Sequence, residues 1–166
     1  MLQRMTGQQP ADLPPDVAGP RSLVDRIAPL FPGSSLRAAL PAQPIRYQWI
    51  RTGDFLEYQA SGQKPPRMMV LALTDSELVL LDAHFRHGQV RLWRKFSRWA
   101  SWPLGSLEAD LADSSILPKL TIRVLGSKST FPFTVFIGPA YRGTRDAVEL
   151  IESAISAASA TAPRGR

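Results

Sequence analysis

Between Met68 and Ala83 the chain reads MMVLALTDSELVLLDA. Two apolar runs flank a single polar step, Asp75-Ser76. That is hairpin spacing with a polar turn, although the turn lacks the usual glycine. Both runs are far too short to span a bilayer. A fold built on this pair must therefore bury short strands.

The rest of the middle of the chain is also strand-like. IRYQWIRT from Ile45 and DFLEYQA from Asp54 carry the aromatic and β-branched residues that suit strands. SGQKPPR, Ser61 to Arg67, is a loop by its glycine and paired prolines, and HFRHG is a turn. QVRLWRKF alternates, with Val90, Leu92 and the stem of Arg94 on one face and Arg91, Trp93 and Lys95 on the other. ASWPLGSLEADLAD reads as a strand interrupted by Pro103. LPKLTIRVLG sets Leu120, Ile122 and Val124 opposite Thr121 and Arg123. STFPFTVFIG does the same with Phe131, Phe133, Val135 and Ile137, and GSKS between these two is a hairpin loop.

Helical spacing occurs at the ends. RSLVDRIAPLF has Leu23, Val24, Ile27 and Leu30 at helix positions, with Ser22 as N-cap and Pro29 and Pro32 as stops. GSSLRAALPAQP is read as one more short helical turn. Near the C-terminus, Thr144 caps a helix with Asp146 in its first turn, and Val148, Ile151 and Ile155 form its apolar stripe. Residues 1–20 carry four prolines among few large apolar side chains, so a flexible tail is expected there. The expected organisation is a tail over 1–20, a helical extension over 21–43, a domain over 44–158 and a basic tail over 159–166. No internal repeat is visible.

A chain of 166 residues favours one domain with a real core. It has no cysteine, which excludes disulfides, thiolate metal sites and thiol catalysis. MLQRMTGQQPADLPPD has no apolar core of the signal-peptide kind, so a cytoplasmic protein is expected. The formal net charge of +6 favours anionic partners in general and names none. Sixteen arginines against four lysines fit a G+C-rich genome as well as any function.

Antiparallel strands followed by one amphipathic helix form a restricted pattern. VLALTDSELVLLDA resembles the hairpin of bacterial pleckstrin-homology-like (PH-like) and GRAM-like domains. RWASWPLGSLEADLAD is similar to their next strand and turn. STFPFTVFIG with RDAVELIESAI is similar to their last strand and closing helix. The resemblance implies an α+β fold over about residues 44–158: a small antiparallel barrel or sandwich of six to seven strands, closed by the C-terminal helix. The chain departs from the eukaryotic members in two ways. Its closing helix has no tryptophan, and its first strands lack the Lys-x-n-Arg-x-Arg pattern that carries phosphoinositide binding. The family includes lipid binders, peptide binders and structural modules, so fold does not fix function.

One stretch stands out chemically. RLWRKFSRWASW, Arg91 to Trp102, holds three of the four tryptophans, four cations and no acid. The candidate ligand-binding residues are Arg91, Trp93, Arg94, Lys95, Arg98 and Trp99. Arg and Trp together suit phosphate contact with stacking, or indoles seated at a membrane interface. A plain strand with some Trp in the core and Arg stems over the rest explains the same residues. His84 and His87 lack a third ligand, so no metal is expected. Glu108, Asp110 and Asp113 read as a solvated face rather than a general acid–base pair, and Lys64 and Arg67 as ordinary loop cations. No G-x-S-x-G, Walker A, Rossmann or HExxH motif occurs. The expectation is a module that is not an enzyme, without cofactor, binding a protein partner. Peripheral binding to anionic lipid through residues 83–106 is the alternative. Nucleic acid is the weaker reading, since the aromatics follow no RRM or cold-shock motif.

Overall fold

The computed structural model describes residues 17–33, 36–45, 67–83, 95–112, 117–127, 129–136 and 142–161. Two helices and seven strands lie in them: α1 (Arg21–Ile27), β1 (Leu36–Pro44), β2 (Met69–Thr74), β3 (Glu77–Asp82), β4 (Ser97–Pro103), β5 (Leu107–Ala112), β6 (Lys119–Val124), β7 (Thr130–Val135) and α2 (Thr144–Thr161). The strands form one antiparallel sheet in the order β4-β3-β2-β1-β7-β6-β5. This is an α+β architecture.

The sheet is open, because no ladder joins β4 to β5 among the described residues. Yet these two edges are consecutive in the chain, linked only by the 3-10 turn Leu104–Ser106. Three residues reach about 10 Å at most, so the sheet has to curl until its edges meet at that corner. The Leu104 N–H donates to Ser76 O and the Leu125 N–H to Ser106 O, tying the corner to both halves.

Curling creates an inside. Leu40, Leu71, Leu80, Leu107, Ile122 and Phe133 from six strands share one buried cluster with Val148, Ile151 and Ile155 of α2. The C-terminal helix therefore packs Val148, Ile151 and Ile155 into the same core as Phe133 and Val135, as its spacing predicts. On the other face of β1–β3 a second cluster gathers Ala39, Val70, Ala72, Val79 and Leu81 under Leu23, Val24 and Ile27 of α1. A central strand covered on both faces has no polar side, which accounts for the unbroken run of β2. The β2–β3 turn manages without glycine because Thr74 Oγ1 accepts the Ser76 and Glu77 N–H groups at 3.4 and 3.1 Å.

The largest correction concerns Leu36–Pro44. Expected as helical, it is β1, the centre of the sheet. Its two prolines explain both the misreading and why the strand survives. The bonds Ala39 N–H to Ala18 O and Ile45 N–H to Pro132 O put the polar groups of odd residues on the flank away from β2. Pro41 sits on that flank just before the β7 ladder starts at Ala42, and Pro44 faces β2 just past its last pair, Ala42 with Met69. Neither position requires an N–H.

Smaller corrections concern the caps. α1 starts from Pro20 without a side-chain cap, so Ser22 does not cap it. α2 takes its first bond at Gly143, whose carbonyl accepts from Ala147 N–H. Thr144 lies inside the helix, and its buried hydroxyl has no hydrogen-bond partner. Residues 17–20, placed in the tail by composition, are ordered against β1. The expected strands over 46–60, the strand segment 89–94 and the loop of Lys64 lie outside the described residues. No helix among the described residues is long and apolar enough to cross a membrane.

Candidate functional site

The basic, Trp-rich stretch enters the described structure at Lys95, exposed just ahead of β4. Strict alternation along β4 would put Trp99 and Trp102 on opposite faces of the sheet. A bulge changes this. Leu80 pairs with Ala100 and Leu81 with Arg98, so Trp99 is the extra residue of the bulge. Such a bulge re-aims side chains at sheet edges, and here it turns Trp99 to the face that Trp102 already occupies. Both pack against the inner cluster and remain half-buried.

Their common neighbour is Phe131 of β7. Trp99 meets its ring edge-on, with centroids 6.2 Å apart and planes at 82°. Trp102 lies tilted at 5.2 Å and 31°. Edge-on and tilted pairs of this separation add roughly 0.5–1.5 kcal/mol each beyond area burial. The β4 edge and β7 are far apart in strand order, so side chains rather than hydrogen bonds join the two halves of the curled sheet here.

The cations are placed differently. Arg98 points to the opposite face and pairs with Glu77 of β3. The local stretch holds no acid, but the neighbouring strand supplies one. Arg98 is 55% and Glu77 34% exposed at the side chain, so the pair contributes little to stability. Of the six candidate residues, Lys95, Arg98 and Trp99 are described, while Arg91, Trp93 and Arg94 lie outside the described residues. The arrangement thus separates the aromatic half of the candidate surface, on the inner side of β4, from Arg98 on the outer side.

Sequence reading missed Phe131 and Glu77. Phe131 was legible as an inward residue of its strand, but no local signal ties it to Trp99 and Trp102. The other candidates are simpler. Glu108 and Asp110 stand exposed on β5, with Glu108 paired to Arg123 across the ladder at 3.0 Å. Arg67 is exposed. Asp113 and both histidines lie outside the described residues. Among the described residues no group of acids and histidines could hold a metal ion. In comparisons with known proteins, no family model matches this sequence and no curated protein is significantly similar to it.

Proposed function

We propose that this chain is a non-enzymatic binding module with a PH-like framework, in which the curled sheet acts as a barrel plugged by α2, and that its ligand is a protein. The observation that carries the reading is the order of elements. A four-strand meander and a three-strand meander are joined through β1 and β7 and followed by one helix in the core. The half-buried pair Trp99 and Trp102 is the aromatic part of the interaction surface, since such residues supply large contact area beside a polar rim. The test is affinity capture with the full chain and with a Trp99→Ala/Trp102→Ala variant. The reading expects a protein retained by the first and lost by the second, while the variant keeps its circular dichroism spectrum. Identical retention by both chains would refute the surface.

The second reading, peripheral binding to anionic lipid, is supported by Lys95 standing exposed ahead of two half-exposed tryptophans. The pairing of Arg98 with Glu77 weighs against it. Co-sedimentation with anionic and with zwitterionic vesicles separates the two. Saturable binding to anionic vesicles alone would favour lipid, and equal, negligible binding to both would end that reading.

A further inference from the structure

The N-terminal residues of the described fold are attached largely through the outer face of the sheet. α1 is seven residues long and has no side-chain cap, too short to be stable by itself in water. It is held by Leu23, Val24 and Ile27, which cover Ala39, Val70, Ala72, Val79 and Leu81 on the outer face of β1–β3. None of its residues enters the inner cluster, where the strands meet α2; only Ala18, just ahead of it, packs against the margin of that cluster. Its nearest main-chain tie to the sheet is Ala18, in a parallel bridge with Ala38: the Ala18 N–H donates to Arg37 O, and the Ala18 carbonyl accepts from the Ala39 N–H. Gly19 follows, at φ 126°. A Cβ there would lie 2.2 Å from the Ala39 carbonyl oxygen, and the Gly19 carbonyl oxygen lies 2.6 Å from where Gly143, at φ 86°, would carry one. Only glycine fits either place. After α1 the chain turns through Gly33, at φ 73° with open space around it.

We infer that residues 17–30 are a detachable strap, filling in cis a docking slot on the outer sheet face for a short helix with apolar residues at i, i+1 and i+4 behind a glycine. Gly19 keys the slot. Gly33 is the hinge. The inner core, built from the strands and α2, stays folded when the strap leaves. Release uncovers an apolar sheet face, the kind of surface that marks an interaction site, and removes the contact of Gly19 on Gly143 at the start of α2. The inference is independent of the function proposed above, because the slot under Leu23, Val24 and Ile27 is on the opposite face of the sheet from Trp99 and Trp102.

The test uses the full chain carrying Gly19→Ala and a fluorescent synthetic peptide spanning Val17–Gly33 with its native glycine. The variant should keep its tryptophan emission and bind the peptide saturably. The native chain, whose slot is filled, should bind at least about tenfold more weakly. Equal binding by both chains, no binding to a variant that is still folded, or loss of the variant's cooperative melt would each overturn the inference. Hydrogen exchange on the native chain gives a second reading that needs no variant. The amides of Val24 and Ala39 should exchange at least about tenfold faster than those of Leu71 and Leu80, as expected for a local opening. Equal protection would overturn the inference as well.

Discussion

At the scale of single residues, burial and partners decide what each side chain contributes. Thr144 is fully buried and its hydroxyl is unpaired. An unsatisfied buried hydroxyl costs about 1–3 kcal/mol, and valine has nearly the same shape. Thr144→Val should therefore leave stability unchanged or raise it by about that amount in urea melts. A clear loss would show that the hydroxyl is hydrogen-bonded in solution. Arg98 is the opposite case. Its ion pair with Glu77 is largely exposed, and such pairs contribute about 0–1 kcal/mol. Arg98→Ala should shift the melting temperature little, and a loss above about 2 kcal/mol would contradict the surface character of the pair.

At the scale of elements, α2 and the curled sheet depend on each other. The helix buries Ala147, Val148, Ile151 and Ile155 against residues of the sheet. Without it, Leu40 of β1, Leu104 of the corner turn and Leu107 of β5, on the elements it packs against, would lose their cover, and apolar surface costs about 25 cal/mol per Å² exposed. A chain ending at Gly143 should show no cooperative thermal transition. If it melts like the full-length protein, the helix is an appendage and the core lies elsewhere. The bulge at Trp99 shows an element-level effect of another kind. One extra residue in an edge strand decides that two tryptophans share a face.

For the whole molecule, the curl makes the inner core a single unit. β4, β7 and α2 all border it, so damage in the helix should be felt at the tryptophans. Ile151→Ala removes a fully buried side chain and should cost about 2–5 kcal/mol, a large share of the roughly 5–15 kcal/mol typical of a domain. Its thermal transition should coincide by tryptophan emission and by far-ultraviolet circular dichroism. Separate transitions would show that the β4 half and the helix half of the sheet unfold independently.

The sequence by itself determined the elements whose signal is local. The β2–β3 hairpin, the alternation of β6, that of β7 as far as Val135, and the stripe of α2 follow from side-chain periodicity, and the structure agrees with each, while Ile137 lies outside the described residues. The candidate surface was legible only as composition, in Trp99 and Trp102 beside Lys95 and Arg98. β1 was misread because two prolines and small residues resemble a helix terminus. Only the neighbouring strands make clear that the missing N–H groups fall where no ladder bond is needed. Tertiary structure alone decided that Glu77 meets Arg98, that Phe131 touches both tryptophans, and that Gly19 must be glycine because of Ala39. The physical reason is common to all three. Periodicity records which face a residue takes on its own element, whereas a partner from another element, or a bulge, is fixed by how the sheet curls and pairs.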